Sequence, residues 1–467
     1  MTTVAKAAAP WTDQMTRGYE LSEVDQLQVA IEPDVLPADP ALRARYAQGL
    51  AAEATIYGLP SVYQYAQMVV QALDTSSPTY TGFDVWDHQR DVASPSFDAF
   101  KTPNVDTLYS NAWLDLTDGP ALIRVPPIRG RYYTLHFLDA FSNSTNLSSR
   151  TVGPEGGLFL VTPPGWRGTI PHDATQFRVA SPYMWILMRI LVGQAPDDVA
   201  EVRALQDAVE ITPLGAVGQG SFVLTHPEPV ERDFRSFFEA LDFSLRANRQ
   251  PVNEDAYVYR FRSIGLAGTV PIEIDALDDA VRQGLEAGFA QGMETIRSMR
   301  SEYATPVGST GWISGSGGED GFNFLRRAIR NFIGTGGNLR DEKVFFAAHT
   351  TAEGDHLDAS QTAYTITLSP PPPVQGHWSI TLYPSKTGLL YPNEIDRYAV
   401  AATTPGIEYG EDGSLTVLIQ HERPDNTANW LPAPAGEFYI DLRTWEPGDE
   451  VRSGDWRPGA VTPVAVP

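Results

Sequence analysis

From Thr107 to Leu116, TLYSNAWLDL, the chain alternates. Leu108, Ser110, Ala112, Leu114 and Leu116 fall on one side, and Thr107, Tyr109, Asn111, Trp113 and Asp115 on the other. A period of two predicts a strand with one buried face and one polar-aromatic face. ALIRV (121–125), RYYTLHFL (131–138), GLFLVTP (157–163) and QFRVAS (176–181) continue the texture between Pro and Gly turns, which predicts an antiparallel β domain. Upstream, ALRARYAQGLAAEATIYG after Pro40 has alanine-rich helical composition. It is expected to stop at Gly58 and Pro60, with a second short helix from Ser61.

From about Tyr183 to Arg300 the period turns helical: Leu277, Val281, Leu285 and Phe289 recur every fourth position, and Phe234, Phe237, Leu241 and Leu245 follow a similar spacing. GSTGWISGSGGEDG (308–321) reads as a flexible crossing before a helix near Phe322–Ile333. Strands then return in VFFAA (344–348), AYTITLS (363–369), HWSITLY (377–383), RYAVA (397–401), SLTVLI (414–419) and EFYIDL (437–442), predicting a sandwich or jelly roll. Pro370–Pro373 cannot pair centrally and is placed at an edge or corner. The fold expected is mainly β with a helical middle segment, an N-terminal β-sandwich and a C-terminal jelly-roll-like β domain. The boundaries expected are an arm over 1–39, helices and sandwich over 40–182, the helical segment over 183–307, and a linker helix with the second β domain over 308–467.

Composition narrows the partners. The 34 Lys and Arg against 58 Asp and Glu leave a net charge of −24, which repels nucleic acid and anionic lipid at long range. Zero cysteines exclude disulfides, thiolate catalysis and iron–sulfur ligation. MTTVAKAAAPW (1–11) has no apolar core of signal-peptide length, and no stretch approaches the roughly 20 apolar residues of a membrane span. A soluble cytoplasmic protein without membrane or nucleic-acid partners is expected.

NVDTLYSNAWLDLTDGP (104–120), GRYYTLHFLDAFSN (130–143), RTVG (150–153) and PPGWRG (163–168) resemble the bacterial domain of unknown function numbered twelve fifty-four. HWSITLY (377–383), NEIDRYAV (393–400), DGSLTVLI (412–419), NWLPAPAGEFYIDLR (429–443) and GDWRPGAV (454–461) resemble its usual companion, the domain of unknown function numbered twelve fourteen. The resemblance implies the same two β domains around a helical segment, and homo-oligomerisation in some relatives. It implies no reaction. His377 stands where this family pattern leads one to expect an aromatic residue before Trp378 and Ser379.

No Gly-x-Ser-x-Gly elbow, P-loop or HExxH motif is present, and GSGGEDG (315–321) lacks the spacing of a dinucleotide fingerprint. No cofactor is expected. Three constellations remain. The first joins Tyr109, Arg131, His136 and Asp139 as acid, base and anion clamp, with Asn104, Asp106 and Asn111 lining a ligand. The alternative is that Asn104 and Asp106 satisfy turn backbone and Arg131 pairs with Asp139. The second is HTTAEGDH (349–356), a hairpin or, with His349 and His356, a metal loop; no metal residue is assigned. The third is C-terminal, where Arg397, His421, Asn429 and Trp430 either stack and bond a ligand or pack an edge sealed by Pro432 and Pro434. The expected function is an enzyme acting on a small organic molecule by nucleotide-independent acid–base chemistry, namely hydrolysis, elimination or isomerisation. The alternatives are a non-catalytic binder of a sugar or lipid-like ligand and a structural assembly protein.

Overall fold

The computed structural model describes residues 35–97, 101–193, 197–215, 222, 225–248, 250–315 and 317–464. All but the last residues of the arm expected over 1–39 lie outside that set.

Helix α1 (Pro40–Met68) starts where Asp39 accepts a hydrogen bond from the Leu42 N–H at 2.8 Å. It does not stop at Pro60. The helix runs through this proline for 29 residues and loosens into a π turn over Val69–Leu73. Proline costs one backbone hydrogen bond, but Gly58, Leu59 and Pro60 are all buried, and packing on every side carries the helix through.

The first β domain is a sandwich. One sheet has the order β1 (Asp87–His88), β2 (Thr107–Asp115), β8 (Tyr183–Leu191), β4 (Tyr133–Leu138), β5 (Ser144–Ser148); the other runs β7 (Thr175–Arg178), β6 (Gly157–Thr162), β3 (Ala121–Val125), β9 (Glu210–Pro213). The helical period expected from Tyr183 therefore begins later. YMWILMRIL is the central strand, and burial on both faces erases the alternation that would have revealed it. Between the sheets lie Leu108, Leu114, Leu135, Phe137, Ile186 and Met188. The short helices α2 (Ser149–Val152) and α3 (Asp198–Ala208) flank this unit.

The helical segment holds α4 (Pro227–Arg232), α5 (Phe234–Ala247), α6 (Asp255–Tyr259) and α7 (Asp279–Ser298), wrapped on α1. Gly284, Gly288 and Gly292 of α7 face Ala47, Ala51 and Thr55 of α1 in ascending register, so the two helices run side by side in the same direction. A Cβ at Gly288 would stand 2.5 Å from both the Ala51 Cβ and the Gln48 carbonyl oxygen. Only glycine permits that approach.

The second β domain pairs a six-stranded sheet with a four-stranded one. The order is β10 (Thr305–Pro306), β11 (Trp312–Ser314), β12 (Lys343–Ala348), β18 (Phe438–Pro447), β14 (Val374–Pro384), β15 (Ala399–Ala401) in the first, and β17 (Trp430–Pro432), β16 (Leu415–Gln420), β13 (Ala363–Leu368), β19 (Thr462–Val464) in the second. The glycine-rich crossing thus contains a strand, β11, between β10 and β12. Helix α8 (Phe324–Ile333) precedes β12, and α9 (Asp449–Ser453) follows β18. Among the described residues, no helix is long and apolar enough to cross a membrane.

Candidate functional site

Neighbouring residues of a strand point to opposite faces, and β18 makes this matter. Phe438, Ile440 and Leu442 enter the core of the second β domain with Val344, Phe346, Ile380 and Leu382. Tyr439, Asp441, Arg443 and Trp445 therefore look the other way. Register completes this second face: β12 places Lys343 opposite Trp445, Phe345 opposite Arg443 and Ala347 opposite Asp441. From β14 come Ser379 opposite Arg443, Thr381 opposite Asp441 and Tyr383 opposite Tyr439.

This face is turned toward the first β domain. Arg443 Nη2 donates to the Thr102 carbonyl at 3.0 Å, and the Tyr383 hydroxyl to the Pro103 carbonyl at 2.5 Å. Asp106, from the first domain, accepts from the Ser379 hydroxyl and has His377 Nε2 at 3.5 Å. Burial opposes ionisation of Asp106, but the His377 and Ser379 bonds outweigh it and hold its carboxyl below the usual range. Two domains are thereby latched by a buried carboxylate.

Beside the latch lies a cavity of about 1000 Å³. Its walls come from β12 and β18, from Arg189 of β8, from Arg330 of α8 and from the loop Gly334–Asn338 behind it. Among the described residues, seven lysines and arginines line it against one carboxylate, Asp441. In a molecule of net charge −24 this is a local reversal of sign.

Two of the cations are matched. Arg443 Nη2 meets Asp441 Oδ2 at 3.1 Å, and Arg330 Nε donates to Asp320 Oδ2 at 2.8 Å. Lys343 and Arg189 make no ion pair among the described residues. The Lys343 ammonium lies 4.9 Å from the Trp445 ring centre, and Arg189 lies 5.3 Å from that of Tyr109. Burial, reinforced by Arg443 and Arg189, pushes the Lys343 amine well below its usual range. Burial pushes the Asp441 carboxyl up to about 6, against the pull of Arg443 and Lys343. On the residues that line the cavity, four buried polar atoms have no partner among the described residues: Asp441 Oδ1, Arg189 Nη1, Arg330 Nη1 and Asn338 Nδ2.

Tyr109, Arg131, His136 and Asp139 do not line the cavity. Tyr109 supports Arg189 from beneath, its own hydroxyl held by Asn104 Nδ2. His136 sits behind the wall. Its Nε2 lies 2.9 Å from the Ser144 hydroxyl, which donates to the Gly337 carbonyl, so Nε2 carries the hydrogen and Nδ1 is bare. Burial, with Arg189, Arg330 and Lys343 nearby, keeps this ring neutral by holding its pKa well below the ordinary value.

Arg131 is engaged elsewhere. It pairs with Asp198 at 2.8 Å and Glu201 at 3.1 Å, not with Asp139. Asp139 closes its own turn, accepting from the N–H groups of Phe141 and Asn143 and from Asn143 Nδ2. Asn104 Oδ1 accepts from the N–H groups of Asp106 and Thr107. Asn111 bonds Gln71 and the Trp185 indole under the stacked Trp113–Trp185 pair.

The C-terminal set fastens an edge. Strand β17 runs parallel to β16 at the border of its sheet. Arg397 Nη1 donates to the carbonyls of Thr427, Ala428 and Trp430 at 2.5, 3.0 and 3.0 Å. Asn429 Nδ2 donates to the carbonyls of Glu408 and Thr416, the buried Trp430 indole to that of Gln420, and His421 Nδ1 to that of Ala433. These groups are spent on backbone, and none lines the cavity. In 349–356 the chain folds back through a Thr350–His356 bridge. His349 stacks on Tyr439 at 4.9 Å and reaches the cavity wall. Among the described residues no group of three or more His, Asp or Glu could hold a metal ion.

The cavity residues themselves carried a signal. In EFYIDLRTW, Asp441 and Arg443 occupy alternate positions of an otherwise apolar strand, which marks a second buried face rather than a solvated one. Arg189 and Lys343 give no such sign in the sequence.

The family described as protein of unknown function DUF1254 matches residues 83–213, and the one described as protein of unknown function DUF1214 matches 342–449. No curated protein matches the sequence. Among solved structures, the VPA0106 protein of Vibrio parahaemolyticus is 23% identical with a TM-score of 0.71, covering 90% of this chain and 100% of its own. At that identity the likeness is one of fold. An uncharacterized protein of Burkholderia cenocepacia is 13% identical with a TM-score of 0.44, covering 97% of this chain and 95% of its own.

Proposed function

We propose that this chain, which belongs to the two-domain family joining DUF1254 to DUF1214, is an enzyme acting on a small organic molecule in the cleft between those domains. The chemistry is acid–base: Asp441 removes a proton and Lys343 supplies one. The observation that carries the reading is their pairing on one buried face, with Asp441 pushed up to about 6 and Lys343 well below its usual range, beside a cavity of about 1000 Å³. Groups whose pKa values are drawn toward neutrality exchange protons most effectively at neutral pH. Asp441 Oδ1 supports the role, because it is buried and has no partner among the described residues to give up before it accepts a proton. The volume matches the upper range of small-molecule sites. Hydrolysis, elimination and isomerisation share this proton step.

A panel of small organic molecules is screened first for turnover by the wild-type protein, and Asp441→Asn and Lys343→Met are then compared on whatever is consumed. Losses on the order of 10²- to 10⁴-fold in kcat are expected from each, with melting temperatures still those of folded proteins. Unchanged kcat in both variants would sink the assignment. Saturable binding without turnover would favour a binder.

A further inference from the structure

We propose that the substrate is an organic anion, its carboxylate, phosphate or sulfate seated between Arg189, Arg330 and Asn338. The proposal rests on the cleft being a ligand site and adds the ligand's charge and the residues that read it.

A buried N–H is almost always hydrogen-bonded, and a buried charge without a counter-charge is costly. Here Arg330 is 3% exposed and Asn338 8%; both line the cavity, and each keeps a buried donor, Nη1 and Nδ2, with nothing to receive it among the described residues. Arg189 does the same with Nη1. Their other groups are already committed: Arg330 to Asp320 and the Ser142 carbonyl, and Arg189 to the Tyr109 ring. The one carboxylate that lines the cleft does not balance it, since Asp441 is taken by Arg443, and Asp320, outside the lining, matches only Arg330. An anion answers both deficits together, by accepting the open donors and by supplying the missing charge. Fork-shaped guanidinium groups suit the planar or tetrahedral oxygens of carboxylate, phosphate and sulfate.

The loop is cut to admit it. A Cβ on Gly337 would stand 3.2 Å from Arg330 Nη1, crowding the open donor, and Gly336 adopts φ +86°, which disfavours any side chain. His136 and Ser144 brace the Gly337 carbonyl from behind. The rest of the lining is less polar, with Ile313, Ile333, Phe345 and Ala347 available to an apolar body. Lys343 belongs to the same field, because its amine is depressed in part by Arg189 and Arg443. A bound anion offsets that repulsion and favours the protonated amine.

The test uses the whole protein and inorganic sulfate as probe, by titration calorimetry at an ionic strength held constant with chloride. Saturable sulfate binding is expected, weakened about 10- to 100-fold in Arg189→Gln, the effect of one lost charge-assisted hydrogen bond. Arg330→Gln is expected to match it; should that variant fail to fold, Arg189→Gln decides alone, since among the described residues the Arg189 side chain has no hydrogen bond or ion pair to lose, only its ring contact with Tyr109 and its field. No saturable binding in the wild type, or a Kd unchanged within twofold in Arg189→Gln, overturns the proposal. Sulfate binding together with full turnover in Asp441→Asn keeps the anion seat and removes the acid–base reading. Turnover lost in Asp441→Asn without sulfate binding does the reverse.

Discussion

One strand, β18, separates two interiors. On one side Phe438, Ile440 and Leu442 meet apolar neighbours and leave no polar atom to satisfy. On the other, two residues along the same backbone, Asp441 and Arg443 sit equally far from water with a charge each. Exposure is near zero on both faces, so burial alone cannot tell a core from a site. The distinction lies in satisfaction. The apolar face is complete as it stands, whereas the charged face keeps donors and an acceptor in reserve.

That contrast can be broken most forcefully at Arg443. Arg443→Met leaves Asp441 buried and unpaired and is expected to cost about 4 kcal/mol of folding stability, measured by denaturant unfolding. Adding Asp441→Asn to the same chain is expected to restore most of it, because no buried carboxylate is then left without its counter-charge. If the double variant is as unstable as the single one, the charged face is held together by something other than this pair. On the opposite side, Leu442→Ala is expected to cost about 3 kcal/mol, with no compensating partner available and with kcat unchanged at a temperature where the variant is folded.

A pH series sharpens the comparison next. The Asp441 carboxyl titrates at about 6 in the folded protein against about 3.9 in an unfolded chain. Its folded form binds the proton more tightly, so the stability it contributes is full below about pH 4 and is lost as the pH rises through about 6. The difference amounts to roughly 3 kcal/mol. Unfolding midpoints at acid and neutral pH, compared between wild type and Asp441→Asn, should show this slope only in the wild type. A slope of the same size in both would place the titration on another group. The smallest effect expected is at Asn429, remote from both faces. Asn429→Ala removes bonds to the Glu408 and Thr416 carbonyls, is expected to cost about 1 kcal/mol, and should leave turnover and sulfate affinity untouched.

What was legible in the sequence followed from faces of unlike chemistry. The helix around Leu285 and Phe289 recurs because one face meets a core and the other meets water, and the strands 107–116 and 437–442, though buried on both sides, alternate because one face is apolar and the other carries polar groups. Strand β8 was illegible for the opposite reason, since both of its faces are covered and largely apolar. Pro60 misled because helix propensity is local, while the packing that carries α1 through it is not. For the site, residue type was a poor guide to role. Arg131, Asp139, Arg397 and Asn429 are the polar residues that catalysis would recruit, yet each is consumed by a turn, an ion pair or backbone carbonyls. Arg189 and Lys343 acquire meaning only when two sheets far apart in the chain are brought face to face, a juxtaposition that no local spacing encodes.

The Asp106 latch has a kinetic consequence. Swinging the domains apart would strip a buried carboxylate of Ser379 and would part it from His377, so the cleft has one working width and the ligand must fit it on arrival. Association should then be a single step: in stopped-flow mixing, the observed rate constant rises linearly with ligand concentration and does not level off, as it would if a hinge had to close first.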